Sequence, residues 1–223
     1  MPHLRESTRQ FLIDLAANNG RQWFDANRPR YEEARADFIS LIGILLHEIE
    51  KFDPSLAGQE AKNSVFRIYR DTRFSKNKTP YKTNIGIQFR HERAKDVHSP
   101  GFYVHIAPEE VFIGVGMWRP DPDSLRAIRE RIAAKPAEWQ RTVGEAKFKR
   151  KFELGGEVLT RPPRGFDKEQ ECIEDIKRKS FIAVQSLAVE DCLNPQFQRK
   201  VETAFKAGTP YMQFLCKAVG VQF

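Results

Sequence analysis

The stretch "GFYVHIAPEEVFIGVGMW", Gly101 to Trp118, decides the fold. Phe102, Val104 and Ile106 alternate with Tyr103 and His105. Val111, Ile113, Val115 and Met117 then alternate with Phe112, Gly114, Gly116 and Trp118. A period of two puts each aliphatic set on one face of an extended chain. Pro108, Glu109 and Glu110 fall near the turn between the two runs, so the pair reads as a β-hairpin. An antiparallel sheet with one apolar face is expected.

The same period extends outward. In "NIGIQFR" Ile85, Ile87 and Phe89 lie opposite Asn84, Gly86, Gln88 and Arg90, and "SFIAVQSL" (Ser180–Leu187) reads as a further strand. "SVFRIYR" (Ser64–Arg70) is also read as a strand, with Phe66 and Ile68 on one side and Val65, Arg67 and Tyr69 on the other. That parity places Arg67, Tyr69, Gln88, Tyr103 and His105 on one face, with Gly86, Gly114 and Gly116. Glycines inside strands mark close approach by a ligand or by another part of the protein. Both readings stay open: a planar anionic ligand on a glycine floor, or a helix packed against it.

Beyond the strands the period becomes helical. Ser7 and Gln10 form an expected capping box ahead of Phe11, Leu12 and Leu15, and Asn19-Gly20 is a stop. Pro29 opens a helix in which Phe38, Leu41, Ile42, Leu45, Leu46 and Ile49 share a face, closed by Asp53-Pro54. Asp121-Pro122 caps a helix through Leu125, Ile128 and Ile132, and Pro136 starts another. Asn194-Pro195 and Thr209-Pro210 predict two closing helices. With no repeat, linker or compositional break, the expected architecture is α+β: a single domain, 1–223, with a mainly antiparallel sheet flanked by N-terminal and C-terminal helices. Residues 1–54 form its helical N-terminal part, 62–120 a β-rich core with a basic loop, and 121–223 a helical C-terminal part with one more strand.

Charge locates the functional signal. The 223 residues carry 37 Lys and Arg against 30 Asp and Glu, a net charge of +7 that favours anionic partners. No apolar run reaches the length of a membrane span, and no secretory leader is evident at the N-terminus. Cys172, Cys192 and Cys216 lack zinc-site spacing and read as free thiols. A cytoplasmic protein is expected, with no membrane partner.

The charge concentrates in "DTRFSKNKTPYKT", Asp71 to Thr83, and just before it. Arg67, Arg70, Arg73, Lys76, Lys78 and Lys82 face one acid, Asp71. Turn-forming Asp71, Ser75, Asn77, Thr79 and Pro80 make this a loop. It offers guanidinium forks, ammonium charges and hydroxyl donors, the groups that grip phosphate or carboxylate. It is not a P-loop, because it contains no glycine. Asp71, between Arg70 and Arg73, is read as ordering those guanidinium groups, since nearby cations weaken it as a base. Two other readings remain: a solvated basic loop, and an internal staple in which the arginines anchor the fold.

The candidate ligand-binding residues are therefore Arg67, Tyr69, Arg70, Arg73, Ser75, Lys76, Lys78 and Lys82, with Tyr103 and His105 on the adjoining sheet face. His91, His98 and His105 recur every seven residues, an odd step that separates them across a strand, so no metal site is assigned. A second basic cluster, Arg161, Arg164, Lys168, Lys177, Arg178 and Lys179, either converges on the first or forms a separate surface.

Several blocks resemble the family called domain of unknown function 2461, found in bacteria and fungi. "NNGRQWFDANRPRYEEA" is similar to the family's N-terminal segment, and "FRIYRDTRFSKNKTPYKTNIG" to its most distinctive motif. "GVGMWRPDPDSLRAIR", "RPPRGFDK" and "LAVEDCLNPQF" follow in the family's order. Asn77 stands where the motif is expected to carry aspartate, which removes one negative charge. The resemblance implies a single cytoplasmic domain with the motif as its signature, and no established reaction. By that resemblance Arg67, Arg70, Asp71, Arg73, Phe74, Ser75, Lys76, Lys78, Thr79, Pro80, Tyr81 and Lys82 match the motif.

The leading functional expectation is binding of an anionic small molecule or nucleic acid: a phosphorylated metabolite, a nucleotide or a nucleic-acid backbone. An alternative is an enzyme acting on a phosphorylated or carboxylated substrate, with His105 or Asp71 as acid or base. Another is a protein-interaction module for an acidic partner. Catalytic residues, cofactor and oligomeric state are not legible.

Overall fold

The Gly101–Trp118 hairpin forms as its alternation requires. In a computed structural model, which describes residues 3–90 and 99–223, Gly101–Ile106 pairs antiparallel with Val111–Met117. His91 and His98 lie outside the described residues. The strands are β1 (Ile85–Arg90), β2 (Gly101–Ile106), β3 (Val111–Met117), β4 (Glu153–Gly155) and β5 (Phe181–Leu187). They make one antiparallel sheet in the order β1-β2-β3-β5-β4.

The helices are α1 (Glu6–Ala17), α2 (Arg21–Ala26), α3 (Arg28–Glu50), α4 (Ala61–Ser64), α5 (Pro122–Ala134), α6 (Pro136–Gly144), α7 (Ala146–Lys149), α8 (Ile173–Ile176) and α9 (Phe197–Val219). The fold is α+β, as expected. Asp121 caps α5 by accepting the backbone N–H groups of Asp123 and Ser124, each at 3.0 Å. That removes two of the unpaired donors a helix start leaves exposed.

One sheet face is covered. Ile87, Phe89, Phe102, Val104, Ile113, Val115 and Ala183 point into the core and are buried. α9 packs there: the Phe205 ring lies 4.7 Å from Phe102 and 6.0 Å from Phe89. Val201, Ala204, Phe205, Gly208, Tyr211, Met212 and Leu215 give α9 a continuous apolar stripe. α3 lies beside α9, and α1 beside α3.

Three local expectations are corrected. Thr209-Pro210 does not start a helix, because Pro210 lies within α9. Proline costs a helix interior about 3 kcal/mol, but here the apolar stripe continues on both sides, and its burial outweighs that cost. The Thr209 hydroxyl donates to the Phe205 carbonyl at 3.2 Å. Ser7 and Gln10 do not form a capping box. Asp37 of α3 instead accepts the Arg5 N–H at 2.9 Å and the Thr8 hydroxyl at 2.7 Å, and Gln10 donates to Asp14. A carboxylate from a packed neighbour has replaced the local cap.

The third correction concerns Ser64–Arg70. The segment is extended but is not a strand of the sheet. It makes isolated bridges, Val65 with Ile87 and Tyr69 with Tyr81, and the Phe66 N–H donates to the Gly86 carbonyl at 3.0 Å. It is tied to β1 and to the loop only at points, so strand parity does not govern its side chains.

Candidate functional site

The uncovered face of the sheet carries the candidate site. Register places Gly86 beside His105 and His105 beside Phe112, while Tyr103 lies between Gln88 and Gly114. Tyr103, His105 and Phe112 are half-buried there. His105 stacks on Phe112 with centroids 4.6 Å apart and planes 7° from parallel.

Two of the protein's own rings occupy the floor that Gly86 opens. A Cβ at Gly86 would stand 2.7 Å from the Phe66 ring and 2.8 Å from the Tyr103 hydroxyl. Phe66, expected on the opposite face, is therefore the residue of its segment that reaches Tyr103. Tyr69 turns the other way, packing on Tyr81 at 5.6 Å with Arg28 as an electrostatic neighbour. Of the candidate aromatics, Tyr103 and His105 come together and Tyr69 does not join them.

Phe66, Arg70, Asp71, Lys82, Asn84 and Tyr103 line a shallow cleft of about 420 Å³. A larger one, about 600 Å³, lies between α6 and Pro210. Its charged lining residues, Arg141 and Glu145, have opposite signs, so it concentrates no charge. The smaller cleft is lined by two cations, Arg70 and Lys82, against one carboxylate, Asp71, which Arg73 already engages.

The Lys82 side chain is half-buried, and its ammonium stands 5.2 Å from the centroid of the Phe66 ring. Among the described residues no carboxylate pairs with it. Burial pulls its pKa below the ordinary 10.5, and the positive charge of Arg67 pulls the same way. The Lys82 N–H donates to the Ile68 carbonyl at 2.7 Å, which fixes the backbone beneath the ammonium.

The loop from Asp71 to Thr79 is held by its own side chains. Asp71 accepts Arg73 through both oxygens, Nε at 3.0 Å and Nη2 at 2.7 Å, and the Arg73 backbone N–H at 3.2 Å. Arg73 hydrogen bonding lowers the Asp71 pKa to about 2. Arg70 donates to the Thr79 hydroxyl and, at 3.4 Å, to that of Ser75. Lys78 donates to the Thr72 carbonyl at 2.9 Å, and Asn77 accepts the Thr79 N–H at 2.9 Å. These bonds run within the loop, and the Arg73–Asp71 pair is exposed, so they order the loop itself rather than anchor it to the core. Asp71 orders a guanidinium group, as its flanking arginines imply.

Even so, the charge of this segment is not neutralised. Among the described residues only Arg73 of the six cations from Arg67 to Lys82 forms an ion pair with a carboxylate. The second basic cluster behaves differently. Lys177 pairs with Glu174, Arg178 with Asp175 and Lys179 with Glu157. It belongs to the β4–β5 edge of the sheet, whereas the basic loop enters at β1. The two clusters do not converge.

A polar relay borders the cleft. The Tyr103 hydroxyl lies 3.1 Å from His105 Nδ1, the Asn84 amide 3.4 Å from the same atom, and Glu110 3.6 Å from Nε2. With Tyr103 donating to Nδ1, the ring proton sits on Nε2 facing Glu110. Burial holds the His105 pKa below its ordinary 6.5 against a smaller opposite pull from Glu110, and burial raises that of Tyr103. Among the described residues no group of three or more His, Cys, Asp or Glu side chains is placed to hold a metal ion.

Phe66, Asn84 and Phe74 were not among the candidate ligand-binding residues, although Phe74 stands within the motif. Phe74 projects from the loop and is 94% exposed. A phenylalanine between Arg73 and Ser75 in a charged loop that cannot reach the core was the available signal.

The fold is that of an α+β protein, and among the described residues a cleft lined by Arg70, Asp71 and Lys82 borders the less covered face of its antiparallel sheet. The chain belongs to the family domain of unknown function 2461, whose model, described as a conserved hypothetical protein, matches residues 7–214. No curated protein matches the chain. No helix among the described residues is long and apolar enough to cross a membrane.

Proposed function

We propose that the protein binds an anionic, phosphate-bearing ligand in the cleft between Arg70 and Lys82. The observation that carries this reading is Lys82: a half-buried ammonium without a carboxylate partner among the described residues, at a cleft that Arg70 also lines. Burying a cation costs free energy that a counter-charge recovers, and a bound anion supplies that counter-charge. The Phe66 and Tyr103 rings suit a planar group attached to the phosphate. Loop self-bonding favours binding as well, because a pre-ordered loop loses little entropy when the ligand arrives.

The test is a thermal-shift series with inorganic phosphate, a nucleoside monophosphate and the matching uncharged nucleoside. Ligand at a hundred times Kd stabilises a protein by about 2.7 kcal/mol. The phosphate-bearing compounds are expected to raise Tm and the nucleoside to leave it unchanged. No shift with any phosphate-bearing compound contradicts the reading.

The Tyr103–His105–Glu110 relay favours a second reading, an enzyme acting on a phosphorylated or carboxylated substrate. A neutral imidazole bonded to a hydroxyl at the cleft has the form of a general base with its proton donor. Turnover that is lost in His105→Ala while ligand binding is retained identifies this case. Turnover unaffected by that change excludes His105.

A further inference from the structure

Five large apolar or aromatic side chains are exposed among the described residues, and three of them, Phe66 (46%), Tyr69 (49%) and Phe74 (94%), lie within the basic segment. Single exposed apolar residues are ordinary; here Tyr69 turns away from Phe66, and it is Phe74, almost fully exposed in a charged loop, that the core does not use. Each of the three rings has a cation beside it: Lys82 at 5.2 Å from Phe66, Arg73 at 5.8 Å from Phe74, and Arg28 next to Tyr69. Arg67 and Lys76 add positive charge that no carboxylate neutralises among the described residues.

Of the three cations beside these rings, Arg28 and Arg73 also pair with Asp25 and Asp71, whereas Lys82 has no carboxylate partner among the described residues. Rings interleaved with cations are the arrangement that holds a single nucleic-acid strand, with bases stacked on ring faces and phosphates along the charge. A duplex hides the faces of its bases inside the stack, so exposed rings gain nothing from it. A membrane surface is the weaker match. Insertion calls for a contiguous apolar face, yet Phe66 faces Tyr103 and Tyr69 faces Tyr81, which leaves Phe74 alone to protrude. The hydrogen bonds within the loop hold Phe74 outward.

We infer that the ligand of the cleft is a segment of single-stranded nucleic acid, with one phosphate at Lys82 and Arg70 and a neighbouring base stacked on Phe74. This inference rests on the anion-site reading above. It assigns Phe74 a role that a small ligand confined to the cleft does not need.

The experiment is fluorescence anisotropy with a labelled single-stranded oligothymidylate of roughly 12 nucleotides, within the span of known single-strand sites. The matching duplex, a nucleoside monophosphate and phosphatidylserine vesicles are measured beside it, on wild type, Phe74→Ala and Lys82→Ala. The oligonucleotide is expected to bind more tightly than the mononucleotide and the duplex, with an affinity that falls steeply as salt rises. Phe74→Ala is expected to weaken the oligonucleotide about tenfold and to leave the mononucleotide unchanged, whereas Lys82→Ala weakens both. Phe74 is so exposed that its removal leaves the core intact. Oligonucleotide binding that Phe74→Ala does not alter overturns the inference, as does equal binding of the duplex. Vesicle binding without oligonucleotide binding overturns it in favour of a lipid surface. Mononucleotide binding with no gain for the oligonucleotide overturns it and leaves the anion site standing. If no phosphate-bearing probe binds, both readings fail.

Discussion

Asn19 and Tyr81 hold each other through two reciprocal hydrogen bonds. The Asn19 amide donates to the Tyr81 carbonyl at 3.0 Å, and the Tyr81 N–H donates to the Asn19 side-chain oxygen at 3.1 Å. The Tyr81 ring then stacks on Phe24 at 4.1 Å. This clasp ties the turn between α1 and α2 to the residue immediately before Lys82. The position of the cleft cation thus depends on a residue that lies 62 positions from Tyr81 in the chain.

Asn19→Ala should therefore destabilise the protein by about 1–3 kcal/mol, the cost of leaving part-buried backbone groups unpaired. Urea denaturation followed by circular dichroism measures it. The same variant should weaken ligand binding even though Asn19 does not line the cleft. An unchanged denaturation midpoint would show that water replaces the clasp without loss.

The contact between α9 and β3 predicts a sign that helix propensity alone gets wrong. A Cβ at Gly208 would stand 2.9 Å from Val115 Cγ1, and Val115 is buried on β3. Alanine is the better helix former by about 1 kcal/mol, but overpacking a fixed core costs about 1–3 kcal/mol. Gly208→Ala should lower stability by roughly 1 kcal/mol once both effects are counted. A stabilised variant would mean that α9 can move away from the sheet.

His105 sets a pH dependence. Its folded pKa lies below 6.5, so between the two values the unfolded chain binds more protons than the folded one. Its contribution is fully present above 6.5 and is lost as pH falls toward the lowered folded value. His105→Asn should flatten that part of the stability–pH curve, as read by denaturation midpoints in a series of buffers. An identical curve for the variant would remove His105 as the source.

The sheet was legible because both faces of Gly101–Trp118 alternate without a break and the apolar set is buried as a unit. The Asp121-Pro122 start was legible because a cap is a local interaction. The cap of α1 was not, since Asp37 reaches it from another helix. Phe66 was misplaced for a similar reason. Residues 65–70 look like a strand, yet they join β1 and the loop only at isolated bridges, so period-two parity had nothing to enforce it. The site was half legible: the charge of the loop stands in the sequence, but which cations find acids is a matter of tertiary approach. Arg73 and Lys82 look alike in the chain, and only Arg73 has a carboxylate partner among the described residues.

Lys82 gives the most direct measurement. A nucleoside monophosphate titrated by calorimetry into wild type and Lys82→Ala, at neutral pH and low salt, tests whether this ammonium holds the anion. Hydrogen bonds to charged groups contribute about 1.5–3 kcal/mol, so the variant should bind at least about tenfold more weakly while its circular dichroism and Tm stay close to wild type. In wild type the affinity should also decline as pH rises through the lowered Lys82 pKa, below the ordinary 10.5, because the neutral amine loses its hold on the anion. Equal affinity in a folded Lys82→Ala protein would contradict the account.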